Sequence, residues 1–179
     1  MKYLFIPCLF LISFFLLVCS TNVVAQNESN LPTPEFEMQP YWYDETAKSL
    51  RSFEKVPFQS QTRAKGLYGA EGLAFIEGRE SPLQFKDFGK LTILIKMEKG
   101  KDPSDVLQLC EFTTSKKREL VTSSRSGWDG GVTQRSAGIN ILEFKKVREG
   151  VYQIILIKKL QQGEYAFENG KFFFAFGIE

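Results

Sequence analysis

The closing nonapeptide KFFFAFGIE constrains this chain more than any other stretch. In an extended strand successive side chains point to opposite faces, so Phe172, Phe174, Phe176 and Ile178 share one face while Phe173 and Ala175 share the other. Apolar residues on both faces place this strand deep in a core. KLTILIKME repeats the period of two, with Leu91, Ile93, Ile95 and Met97 opposed to Thr92, Leu94 and Lys96, the pattern of a strand with one strongly buried face. VYQIILIK sets Val151, Ile155 and Ile157 against Tyr152, Ile154 and Leu156, which predicts an interior strand.

Turn signals separate these runs at the spacing of an all-β domain. Pro82 in SPLQF sits at a strand start, where its missing N–H costs no ladder bond. EKGKDPSD carries turn residues, TSKKREL is a hairpin tip between DVLQLCEF and RELVTSS, VREGVY and LQQGEY are glycine turns, and ENGK offers Asn169 and Gly170 as a two-residue loop. About eight strands are expected by this spacing. The predicted fold is a two-sheet antiparallel β-sandwich, with a small β-barrel as the alternative and an extended N-terminal arm.

Upstream, QNESNLPTPEFEMQP combines Pro32, Pro34 and Pro40 with polar residues and reads as an extended linker over 26–40. YWYDETAKSLRSFEKVPF predicts a short helical turn at Asp44 to Ser49, then strand, the whole of 41–179 forming one domain. LQFKDFGKLTILIKMEKG and LEFKKVREGVYQIILIKKLQQG echo one another, but the copies need a gap and lack the fixed period of true repeats. They read as two hairpins that converge on one pattern.

Residues 1–25 read as a secretory signal: Lys2, then the 15-residue run LFIPCLFLISFFLLV, then polar Ser20, Thr21 and Asn22. Val23 and Ala25 supply the small side chains needed for cleavage before Gln26. The run is short of the about 20 residues that span a bilayer. LLVC offers a second route, cleavage before Cys19 and lipid attachment, with bulky Val18 against it. The expected location is therefore periplasmic or secreted, with lipid anchoring at Cys19 as the alternative. A glutamine after the cut resembles signal peptides of Bacteroidetes.

Removing 25 of 179 residues leaves 154, and it removes Cys8 and Cys19, so Cys110 is the last cysteine and no intrachain disulfide can form. A core must do the work of a staple. A chain of ~150 residues buries roughly 70% of its unfolded surface, enough for that. Losing Lys2 from 23 basic residues leaves 22 against 21 acidic ones, net +1, with the signs interspersed and no basic footprint for nucleic acid. The chain has no histidine, which eliminates Ser-His-Asp and Cys-His catalysis, histidine zinc sites and a histidine pH switch.

Several motifs bear on chemistry. In SSRSGWDGGVTQRS the glycines could present Trp128 and Asp129 to a sugar, an indole face stacking on the ring; the competing reading is a long loop whose glycines serve turns. Tyr41, Trp42 and Tyr43 form a second aromatic cluster, for binding or for packing against the sandwich edge. Ser52 to Lys55, SFEK, has the Ser-x-x-Lys spacing of serine acyl-enzymes but no Lys-Thr-Gly element. Cys110 in LQLCEF reads as a core thiol. Asp102 and Asp105 around Pro103 read as a capped turn, since a calcium site needs six or more oxygens. No catalytic residue, metal or cofactor is implied.

PEFEMQPYWYD, LRSFEKV, GRESPLQF, DPSDVLQLCEF, KKRELV, GEYAF and the closing FAFGIE resemble an uncharacterised family of exported Bacteroidetes envelope proteins with no assigned activity, over about residues 31 to 179. The resemblance implies a β-rich envelope domain and carries over no site. The expected function is a non-catalytic binding or accessory module whose partner is an envelope glycan or another envelope protein. The alternative is a small envelope hydrolase using carboxylates or Ser52 with Lys55.

Overall fold

In the computed structural model, which describes residues 31–125, 131–134 and 138–179, the chain runs through β1 (Pro40–Asp44), β2 (Ser49–Ser52), β3 (Glu54–Pro57), β4 (Gln59–Lys65), β5 (Gly69–Ile76), β6 (Gln84–Phe85) and β7 (Ile93–Lys96). There follow β8 (Gln108–Thr114), β9 (Arg118–Arg125), β10 (Val132–Gln134), β11 (Gly138–Ile139), β12 (Leu142–Arg148), β13 (Val151–Leu156), β14 (Gly163–Glu168) and β15 (Phe172–Ile178). Among the described residues helix is confined to a 3-10 turn at Phe88–Lys90 and one α-turn, α1 (Pro103–Val106). Among the described residues fifteen strand segments stand where about eight were expected. Part of the excess comes from long strands broken at bends, and part from two- and three-residue additions, β6, β10 and β11, along established edges.

The strands form a nearly all-antiparallel two-sheet sandwich with one sheet strongly curled. The smaller sheet has the order β12-β13-β7-β1-β2, and the larger runs β3-β15-β14-β8-β9-β5-β4, with β6, β10 and β11 added. The two edge strands of the larger sheet, β3 and β4, are separated in sequence by Phe58 alone. A sheet whose opposite edges are consecutive in the chain has turned back on itself. The curl begins where β8 and β9 part: they pair over Thr113↔Glu119 and Thr114↔Arg118, after which β11 lies beside β8 at Leu109 and Cys110. The sandwich and barrel readings thus each describe part of one molecule.

This arrangement makes β15 a central layer with a core on each side. Phe174, Phe176 and Ile178 join Ile93, Ile95, Met97, Ile154, Leu109 and Phe167 between the two sheets, while Phe173 and Ala175 join Ala74, Ile76, Cys110, Phe112, Leu120 and Ala166 inside the curl. The alternation in KFFFAFGIE is satisfied residue by residue. In the first core Phe88 stacks on Phe176 with centroids 4.3 Å apart, and in the second Phe112 meets Phe173 edge-on at 5.3 Å. Each buried phenylalanine removes apolar area worth about 25 cal/mol per Å², which favours burial on both faces.

Several expectations are corrected. Asp44 to Ser49 is the end of a hairpin and holds no helix: β1 pairs with β2 through Tyr43↔Leu50 and Asp44↔Ser49, and the Asp44 carboxylate accepts the amides of Thr46 and Ala47 at 3.0 Å each. That carboxylate takes the donors a helical first turn would present. In ENGK the register Glu168↔Phe173, extended by Asn169 N–H to Phe172 O at 3.3 Å, makes Gly170 and Lys171 the loop pair, one position later than expected. LQQGEY, read as a glycine turn, carries the chain from β13 in one sheet to β14 in the other, and Gly163 opens β14 without a positive φ. Part of SSRSGWDGGVTQRS is strand: Val132, Thr133 and Gln134 pair with Arg125, Ser124 and Ser123.

The VREGVY turn is where predicted, Gly150 adopting φ +69° between β12 and β13. The echoed segments do not repeat structurally. Their apolar runs become neighbours, Ile93 opposite Ile154, but Gln84 and Phe85 pair in parallel with β15 while Leu142 to Arg148 make a hairpin with β13. Residues 32–40, read as an extended linker, bend at Glu35 and Phe36, turn at Met38 with φ +57°, and belong to the compact unit Pro32–Glu179. Pro34 is fully buried, Met38 N–H bonds Lys96 O at 2.8 Å, and Asn169 donates to Met38 O at 2.9 Å.

Candidate functional site

Inward-facing positions of a curled sheet are ordinarily apolar, so a charged residue there points to something built. Arg118 shares its face of β9 with Leu120, is 1% exposed, and sits inside the curl. Its guanidinium donates to both oxygens of Glu54 on β3, Nη1 to Oε2 at 2.8 Å and Nη2 to Oε1 at 3.2 Å, and Nη2 also reaches Glu77 O at 3.3 Å. Glu164, two positions from inward-facing Ala166 on β14, stands 3.8 Å from Nη1. A buried guanidinium is tolerable because planar, two-pronged pairing with a carboxylate replaces its water.

Glu164 links this buried network to the surface. Its carboxylate accepts the Ser81 amide and Gln84 Nε2, each at 2.9 Å, and Gln84 Nε2 also donates to Ser81 O at 2.9 Å. The 79–85 segment is thereby pinned across the ends of β14 and β15, its position kept by β6 pairing with Gly177 and Ile178. A Cβ on Gly177 would fall within 2.0 to 2.4 Å of the Gln84 amide, so a larger residue there would make the Gln84 side chain swing away from Glu164.

Outside this seam lies a cleft of about 510 Å³, lined by Arg79, Glu80, Gln84, Glu111, Gln162 and Glu179 among others, with Phe112 and Ile178 as apolar wall. Tyr165, in the core between the sheets, reaches one lining residue, donating to Glu111 Oε1 at 3.4 Å and to Gln161 O at 3.0 Å; burial, then the Glu111 charge, pushes its phenol above the usual range. Carboxylates, carboxamides and a guanidinium at one concave surface form a set of donors and acceptors suited to a polyhydroxylated ligand. A smaller cleft of about 260 Å³ beside Phe88, Ile93 and Ile154 is more apolar.

The residues singled out in the sequence fall elsewhere. Trp128 and Asp129 lie outside the described residues. Trp42 turns into the first core, its ring edge-on to Phe85 at 5.5 Å, while Tyr41 and Tyr43 take the opposite face of β1, as alternation requires. Tyr41 is buried, in hydrogen-bonding reach of the Phe36 backbone, and burial raises its phenol; Tyr43 is half-buried. Tyr41 and Trp42 therefore serve packing, and β1 is the strand between β7 and β2 rather than an arm on the sandwich edge.

Ser52 ends β2 and Lys55 lies on β3, with Lys55 Nζ 4.4 Å from the Phe172 ring centre and donating to Gln39 Oε1 at 3.2 Å. SFEK thus runs through a strand corner, and no helix brings the lysine beside the hydroxyl. Cys110 is fully buried, its thiol pushed up to about 12 by burial and then by the Glu168 charge, as a core thiol should be. Asp102 caps α1, accepting Ser104 N–H at 2.8 Å.

Arg118, Glu54, Glu164 and Gln84 were missed by the sequence reading. The available signal was parity: Arg118 stands two positions from Leu120, and Glu164 two from Ala166, each a charge in step with an apolar face. Set against family models, curated proteins and solved structures, the chain matches none.

Proposed function

We propose that this is an exported, non-catalytic binding module of the cell envelope whose polar cleft takes a polyhydroxylated ligand, an envelope glycan. The observation that supports the reading is the cleft of about 510 Å³, held by the Glu164, Gln84 and Ser81 hydrogen bonds and lined by outward polar groups on Arg79, Glu80, Glu111 and Gln162. Export comes from the amino-terminal signal pattern and its VVA–Gln26 junction. Sugars are recognised through such fans of carboxylate and amide groups, each contributing about 0.5–1.5 kcal/mol net per hydrogen bond.

A glycan array and a pull-down from envelope extract test the reading, using wild type beside Glu111→Gln and Gln162→Ala. Retention of one glycan class, lost in both variants, is the expected result. No retention of any envelope component overturns it. Turnover of a polysaccharide, abolished by Glu111→Gln, would replace it with the hydrolase alternative.

A further inference from the structure

The hairpin joining β4 to β5 closes in a tight turn. Lys65 pairs with Gly69, leaving Gly66, Leu67 and Tyr68 as a three-residue loop. Gly66 adopts φ +66°, and a Cβ on Gly69 would lie 2.4 Å from Lys65 O, so both glycines are needed for a turn this tight. The loop throws its two large side chains outward: Leu67 is 86% exposed and Tyr68 64%.

The neighbouring strand ends add to this surface. Ala70, Arg125 and Val132 form one rung across β5, β9 and β10, directly beneath the turn, and Val132 is 63% exposed. Leu67, Tyr68 and Val132 are three of the most exposed large apolar side chains among the described residues, and all three lie at the same end of this four-stranded arm. Around them stand Lys65, Arg63 and Arg125 against two carboxylates: Glu71, which Lys65 and Arg63 share, and Glu119, which Arg63 also meets at 2.9 Å. Among the described residues the charge excess next to the apolar tip is one positive charge, three cations against two carboxylates.

An exposed leucine and valine, a tyrosine with an apolar body and polar end, and a cationic collar form the pattern of a segment that seats in the interface of an anionic bilayer. We infer that the β4–β5 turn, with Val132 beside it, is a peripheral membrane contact: Leu67 and Tyr68 enter the headgroup–acyl boundary while Lys65, Arg63 and Arg125 meet anionic lipid headgroups. Insertion is shallow, because the turn presents two residues and the rung below it already carries charge. The site is separate from the polar cleft and does not depend on it.

Co-sedimentation tests this with the exported full chain carrying Cys19→Ser, so that no lipid is attached there. The vesicles are phosphatidylcholine alone, or phosphatidylcholine mixed with phosphatidylglycerol. Binding to the anionic vesicles is expected, weaker as salt rises, and reduced about tenfold or more in Leu67→Asp/Tyr68→Asp. Lys65→Glu/Arg125→Glu should reduce it and flatten the salt dependence. Thermal unfolding checks that the variants remain folded, which the exposure of these side chains favours. The inference is overturned if wild type stays in the supernatant with both vesicles, if it binds neutral and anionic vesicles equally, or if the Leu67/Tyr68 variant binds as wild type does.

Discussion

Arg118 and Glu54 meet through two hydrogen bonds, 2.8 and 3.2 Å long, although their strands β9 and β3 stand four places apart in the order of the large sheet. The pair ties the curl shut from inside. Breaking it should therefore be costly: Arg118→Ala leaves Glu54 and Glu164 facing each other in a poorly solvated space, and a loss of about 3–5 kcal/mol is expected in urea unfolding. Glu54→Gln, at a position 22% exposed, should lose less. A loss below about 1 kcal/mol for Arg118→Ala would mean that the pair behaves as a surface ion pair.

The two-sided burial of β15 gives a paired prediction. Phe176 lies in the core between the sheets and Phe173 in the core inside the curl, both fully buried. Phe176→Ala and Phe173→Ala should each cost about 3–5 kcal/mol by denaturant unfolding. A strand with one wet face would tolerate one of the two.

Cys110 supplies a chemical probe and an alkaline limit. Its thiol, ordinarily near 9.0, is raised to about 12, so the folded chain holds this proton between those values while the unfolded chain releases it. Stability linked to this group is full below pH 9 and falls as pH rises toward 12; the raised phenols of Tyr41 and Tyr165 act in the same direction. Native protein at pH 8 should resist a thiol reagent and react fully in urea. Rapid labelling of the native state would contradict the packing.

The acid side is set by carboxylates held below their usual range. Hydrogen bonds from Lys65 and then Arg63 lower Glu71, so its contribution is present above about pH 4.5 and is lost as pH falls further. Asp44, lowered by the Ala47 and Thr46 amides, adds in the same sense. The unfolding midpoint should drop between pH 6 and pH 3, and Glu71→Gln should make the drop shallower. An unchanged slope would remove Glu71 from the account.

Export is tested at the amino terminus. Intact mass and N-terminal sequencing of protein recovered outside the cytoplasm should find Gln26 first, with Cys19 acylated as the rival product. A recovered chain that retains residues 1–25 would overturn the signal reading.

Local chemistry in the sequence by itself determined the all-β class, the double-faced burial of KFFFAFGIE, the hairpin tips at TSKKREL and VREGVY, and the inert setting of Cys110. Each of these depends on neighbours within a few residues, where a period of two or a glycine with positive φ is decisive. Only the tertiary structure decided that β3 and β4 would end on opposite edges of one curled sheet, that Trp42 would serve the core, and that residues 32–40 would pack with the domain. Arg118 was unreadable for the same reason. Its cost of burial is offset by Glu54, 64 positions away, and the meeting of those two residues is set by how sheets close, a relationship that no local pattern encodes.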